Sequence, residues 1–195
     1  MRERFITLTS PVVPLERDNV DTDQIIPARF LKATSREGFG DKLFHDWRYD
    51  SAGCPRPDFV LNDPTHRGTI LAAGKNFGCG SSREHAAWAI RGAGFRAVLS
   101  PRFADIFREN ALNNGLLPVQ LPAPFLERVF TVTRERPEAA VTVDLERQEV
   151  RFEGETAPFD IPPYRKRCLL QGFDDIDYLL SIRDKIILFE KQHAL

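Results

Sequence analysis

The run Gly74-Lys-Asn-Phe-Gly-Cys-Gly-Ser-Ser-Arg-Glu-His-Ala86 constrains the fold more than any other part of the chain. Before it, Thr69-Ile-Leu-Ala-Ala73 is short, apolar and bounded by glycines, which predicts a buried strand. After it, Ser82 to Arg91 has helical composition, with Ala86, Ala87, Ala89 and Ile90 forming a small-residue face. Gly92 and Gly94 close that helix. Gly78 and Gly80 flank Cys79, so the backbone there can adopt positive φ and approach a ligand closely.

The neighbouring segments alternate in the same way. Ala97-Val-Leu99 and Pro118-Val-Gln-Leu121 read as strands. Between them, Arg102 to Asn114 reads as a helix, with Phe103, Ile106, Phe107 and Ala111 on one side and Gly115 as its C-cap. Ala123 to Arg134 is helical, and Ala140 to Leu145 with Val150 to Glu153 predicts a hairpin around Glu146-Arg-Gln-Glu149. Phe5 to Leu15 alternates loosely, and Pro11 and Pro14 limit it to an edge or bent strand. Asp18 to Asp23 is a turn-rich acidic stretch. Residues 30–67 form a long irregular excursion, interrupted by a possible short strand at Phe59-Val-Leu61. From about residue 172 a mostly helical tail runs to residue 195, although Ile186-Ile-Leu-Phe189 could also pass for a strand. Alternating elements followed by a hairpin predict mixed α and β around one core, in a single domain spanning residues 1–195.

Bulk composition removes several function classes. With 27 basic and 28 acidic residues, the chain has no general basic surface for nucleic acid. Cys54, Cys79 and Cys168 are too few and too scattered for a disulfide framework. None stands in a short-spaced pair, so no metal or iron–sulfur cluster is expected on this chain alone. The first residues, Met1-Arg-Glu-Arg-Phe-Ile-Thr7, carry charge without an apolar signal core, and no run is long enough to span a bilayer. The expectation is a soluble, cytoplasmic protein with no membrane partner.

The glycine turn carries the chemistry. Ser81 and Glu84 stand in S-x-x-E spacing, which predicts a capping box with Ser81 as N-cap. Free N–H groups at a helix start favour an anion, and Arg83 adds a planar fork for a carboxylate. A well-capped helix alone would explain S-x-x-E, but not two glycines, two serines and an arginine within six residues. Neither phosphate fingerprint fits: Lys75 precedes the glycines, and the position three residues after Gly80 is Arg83.

Asp18-Asn-Val-Asp-Thr-Asp-Gln-Ile-Ile-Pro27, Asn76-Phe-Gly-Cys-Gly-Ser-Ser-Arg-Glu-His85 and Phe103-Ala-Asp-Ile-Phe107 together resemble the 3-isopropylmalate dehydratase small-subunit family. The likeness extends over nearly the whole chain, including Asp46-Trp-Arg48, Pro57-Asp-Phe-Val-Leu-Asn62 and Asn113-Asn114. It implies a swivelling β/β/α domain of the aconitase C-terminal type with a helical tail. It also implies isomerisation of 2-isopropylmalate to 3-isopropylmalate by dehydration and rehydration, in leucine biosynthesis. Ser81 would be the catalytic base, Ser82, Arg83 and Gly80 would bind the substrate's carboxylate, and Asp23 would lie beside them. The resemblance places a [4Fe–4S] cluster, acting as Lewis acid on the leaving hydroxyl, on a large subunit, so this chain would bind no cofactor and would be active only as part of that complex. The small hydroxy-diacid substrate would bind between the two.

Other residues are read more plainly. Cys79 has no evident partner base and serves as a small turn residue. His85 is expected to orient the loop by a hydrogen bond, and His45, His66 and His193 to be surface or loop residues. Phe30, Phe39, Phe44 and Trp47 are unusual for a solvated loop, and the excursion is expected to fold over the site, meeting the isopropyl group or the partner. Two alternatives stay open: a related hydro-lyase subunit acting on methylmalate/citraconate or homoaconitate, and a non-enzymatic anion-binding module.

Overall fold

The run Ile70-Leu-Ala-Ala73 has no polar face to offer water, and it lies inside a sheet covered on both sides. The structure, a computed structural model, describes residues 2–32 and 35–193. Its strands are β1 (Thr7–Leu15), β2 (Ile70–Ala73), β3 (Ala97–Ser100), β4 (Leu117–Gln120), β5 (Ala140–Asp144), β6 (Glu149–Phe152) and β7 (Glu155–Pro158). They form a sheet in the order β4-β3-β2-β1-β5-β6-β7. Pairs among β1 to β4 are parallel, while β5, β6 and β7 continue antiparallel from β1.

The helices are α1 (Thr22–Ile25), α2 (His45–Arg48), α3 (Glu84–Gly92), α4 (Asp105–Asn113), α5 (Ala123–Glu135), α6 (Pro163–Gln171), α7 (Asp175–Ser181) and α8 (Arg183–His193). Period-two alternation sorts the strand side chains into two cores. Ile70, Ala72, Ala97 and Leu99 face a core shared with α5 and the antiparallel strands. Leu71, Ala73 and Val98 face a second core, made with α3, α4 and the excursion. The mixed α/β class and the helical tail are as the sequence predicts; β7 and α6 were not legible in it.

β1 is not an edge strand but lies in the middle of the sheet. Thr7–Pro11 pairs with β5 and Val12–Leu15 with β2, so Pro11 and Pro14 each have a ladder partner on one side only. That arrangement tolerates their missing N–H groups. Residues 59–61 form turns, not a strand. Ile106 also departs from expectation: Phe107 and Ala111 are buried, but Ile106 is 54% exposed.

The excursion is largely packed rather than solvated. Phe39, Leu43 and Phe44 are buried in the second core, and Phe44 stacks on Trp47 at 5.5 Å. The apolar surface of those three is therefore spent inside this chain, while Phe30 and Trp47 are half-buried against the same core. Gly40 lies directly against the backbone of Gly92 at the end of α3, with no room for a Cβ. Gly40→Ala should therefore lower unfolding free energy by about 2–3 kcal/mol, because backbone rather than a flexible side chain must move. Denaturant titration with an unchanged m-value checks this; wild-type stability would show that the excursion is not held there.

Candidate active site

Loops leaving the carboxyl ends of β1, β2 and β3 converge at one end of the sheet, where open α/β sheets bind ligands. Backbone bonds carry the β1–β2 pairing beyond the strands. Gly74 N–H donates to Arg17 O at 3.0 Å, Asn19 N–H to Lys75 O at 2.8 Å and Gly78 N–H to Val20 O at 2.7 Å. The β3 loop joins through Phe77 N–H to Arg102 O at 3.1 Å and Ala104 N–H to Phe77 O at 3.0 Å. Fully buried Ser100 donates its Oγ–H toward Gly74 O at 2.7 Å and Arg102 O at 2.8 Å, tying two loop bases together.

Gly78 shows why this turn needs glycine. Its φ is +77°, and a Cβ there would overlap the ring of Phe107 on α4. The turn thus lies flat on α4 and then emerges: Gly80, Ser81 and Ser82 are exposed. Thr22, itself buried, holds that emergence through Oγ1–H to Ser81 O at 3.0 Å and N–H to Cys79 O at 2.8 Å. Thr22 opens α1, whose N-cap Asp21 accepts from the amides of Asp23 and Gln24 while Gln24 Oε1 accepts from Asp21 N–H.

The charged pair of the site is Arg83 with Asp23, joined directly by a hydrogen-bonded ion pair. Arg83 is only 16% exposed whereas Asp23 is 48% exposed, so the guanidinium is braced against the protein while the carboxylate stays open to solvent. The structure therefore brings together all five residues marked from the sequence: Gly80, Ser81, Ser82, Arg83 and Asp23.

Ser81 is not the N-cap of α3. Arg83 occupies the cap position without a side-chain capping bond, and the helix begins at Glu84. The capping box fails because Glu84 is engaged elsewhere: its Oε1 accepts from Asn114 Nδ2 at 2.9 Å and lies 3.6 Å from Arg36. This leaves the Ser81 and Ser82 hydroxyls outside any cap. The capping box that does form, Asp21-x-x-Gln24, has the spacing that could have revealed it in the sequence. Thr22 and Ser100 were missed because nothing local distinguishes them; their bonds cross 59 and 26 residues.

His85 holds its place by ring contacts, 5.5 Å from Phe39 and 4.5 Å from Trp88, rather than by the expected hydrogen bond to the loop. Burial pushes the Cys79 thiol up, with the Asp21 carboxylate adding to the effect, so thiolate chemistry is disfavoured there. Among the described residues no helix is long and apolar enough to cross a membrane.

Residues 2–124 match the aconitase C-terminal domain family, and residues 127–163 match the family described as LeuD_N. The 3-isopropylmalate dehydratase small subunit of Cytophaga hutchinsonii is 59% identical over 191 residues, covering 97% of this chain and 95% of its own. That of Christiangramia forsetii is 57% identical over 192 residues, covering 97% and 94%.

This chain belongs to the 3-isopropylmalate dehydratase small-subunit family.

Its fold agrees with that assignment. The crystal structure of 3-isopropylmalate dehydratase (leuD) from Methanocaldococcus jannaschii superposes with a TM-score of 0.65 at 30% identity, covering 95% of this chain and 99% of that one. The family matches end at residue 163, so α7 and α8 lie beyond both.

Proposed function

We propose that this chain is the small subunit of a 3-isopropylmalate dehydratase, converting 2-isopropylmalate to 3-isopropylmalate together with a large subunit. One observation carries the reading: an exposed Gly-Ser-Ser turn beside a braced Arg83, at the carboxyl ends of parallel strands, in a chain of this family. The turn is exposed to solvent and offers donors for a carboxylate and hydroxyls for proton transfer, and in this reading the large subunit excludes the water.

In this mechanism Arg83 and the Ser82 hydroxyl hold one substrate carboxylate, with the Gly80–Ser81 backbone lying against it. Ser81 Oγ, as the alkoxide, takes the proton from the carbon next to that carboxylate. A serine is a weak base at its ordinary pKa, so the charge must be offset locally. Arg83 and the N-terminal end of α3 supply that offset, and it strengthens once water is excluded. Deprotonation moves negative charge into the carboxylate oxygens, where the Arg83 fork meets it. Asp23 keeps the guanidinium aimed when substrate is absent. The carbon–oxygen bond on the neighbouring carbon then breaks and the hydroxyl leaves as water, a departure that a Lewis acid on the large subunit would assist. Water re-adds with its hydroxyl on the carbon that lost the proton, while the proton held by Ser81 returns to the carbon that lost the hydroxyl.

This chain's residues do not fit as holders of a [4Fe–4S] cluster. Cys54 is exposed, Cys168 is buried, and among the described residues no three His, Cys, Asp or Glu side chains gather as a metal-holding group. We place the cluster on the large subunit, and the pair in the cytoplasm. The test is to combine the purified chain with a large subunit and follow 3-isopropylmalate formation, with methylmalate and homoaconitate as rival substrates. The proposal expects conversion of isopropylmalate to exceed both rivals. Preference for either rival, or turnover by the isolated chain, would overturn it.

A further inference from the structure

The tail helices turn their apolar side chains the wrong way for a domain that stands alone. α7 is fastened to α6 by its polar and aromatic groups. Tyr164 Oη–H donates to Asp175 at 2.7 Å, Arg165 pairs with Asp175 at 3.2 Å, and Tyr178 packs edge-on against Tyr164 at 4.6 Å. Ile176, Leu179 and Leu180, spaced as one helical stripe, face solvent instead, Ile176 being 65% and Leu180 64% exposed. α8 follows with Ile186-Ile-Leu-Phe189, four consecutive apolar residues that cover most of a helix circumference. The middle turn of α8 is thus apolar on most sides between charged ends, Arg183-Asp-Lys185 and Glu190-Lys191, and that turn gains stability when it is covered. All four are at least 36% exposed here.

The tail is tied by a polar bridge to α4, whose Phe107 lies under the glycine turn. Arg165 bonds both Asp175 on α7 and Glu109 on α4. One turn before Glu109, on the same face of α4, stands exposed Ile106, next to the Phe107 that carries the glycine turn. We infer that α7 and α8 form the docking element by which this chain grips its large subunit, with exposed Ile106 on α4 as a second apolar contact. This rests on the reading above, in which a second protein closes over the glycine turn.

Two observations favour this occupant. The tail is not basic: Asp174, Asp175, Asp177, Asp184 and Glu190 outnumber Arg183, Lys185 and Lys191, which disfavours an anionic lipid surface. Relatives named small subunits align over 97% of this chain, a span that reaches into α8, so the tail belongs to proteins named for having a larger partner.

The experiment is a binding titration of the full chain against the large subunit, comparing wild type with the double variant Leu179→Asp, Leu180→Asp. The dissociation constant should rise about 30-fold or more, the loss expected on breaking an interface hot spot. Circular dichroism should be unchanged, and isomerase turnover should return when the large subunit is in excess, because the site itself is intact. Should the double variant misfold, Ile176→Glu provides the same comparison. Wild-type affinity in the folded variant overturns the inference. So does a wild-type chain that is a dimer by itself and becomes a monomer in the variant, since a second copy would then own the surface. A wild-type pair that binds through the tail yet turns over no isopropylmalate would instead overturn the functional reading and leave the docking element standing.

Discussion

Ser81→Ala should lower kcat of the reconstituted enzyme by about 1000-fold, roughly 4 kcal/mol of transition-state stabilisation, with little change in KM. The expectation follows from how the residue is held. Its anchor is a main-chain carbonyl accepting from Thr22 Oγ1 at 3.0 Å, which alanine keeps. Its side chain caps nothing and is exposed, so removing the hydroxyl opens no cavity and leaves no buried group unpaired. Fold and subunit association should therefore match wild type, and the loss should appear in the chemical step. Turnover above roughly a tenth of wild type would remove Ser81 from the role of base, since a positioned base contributes at least about 100-fold.

Arg83→Lys should lower kcat/KM by about 100-fold, close to 3 kcal/mol. A lysine can satisfy Asp23 as a point charge, so the ion pair that braces the loop survives in kind. It cannot present two parallel N–H groups to a carboxylate, and a planar fork is what both the bound diacid and its deprotonated form require. Part of the loss should appear in KM, from weaker ground-state binding, and part in kcat, from weaker stabilisation of charge entering the carboxylate. Steady-state kinetics with the folded, associated variant separate the two. An unchanged kcat/KM would mean that Arg83 serves Asp23 and not the substrate.

The strand Ile70–Ala73, the glycine turn and α3 could be read from the chain because each depends on local properties. Apolar continuity marks the strand, positive φ demands glycine at position 78, and Ala86, Ala87, Ala89 and Ile90 are the buried face of α3. The same local reasoning misled at Ser81, where S-x-x-E spacing is satisfied but Glu84 is drawn away by Asn114, 30 residues distant. In the excursion the aromatics signalled burial but not against what: Phe39 and Phe44 are core of this chain. A count of aromatics cannot distinguish a lid from a buried plug, because both need apolar surface.

Residue order alone marked out the groups proposed for the chemistry: two serines and an arginine emerging from a glycine turn between a strand and a helix. It did so because backbone conformation, helix start and donor type are properties of a few adjacent residues. Only the folded chain decided that Asp23 meets Arg83, that Thr22 pins Ser81, and that Leu179 and Leu180 face outward. Those outcomes depend on pairing β1 with β2 across an intervening segment of more than fifty residues and on packing α7 against α6. Contacts at such separations are chosen by competition among all the surfaces a chain can bury, and no short window contains that competition.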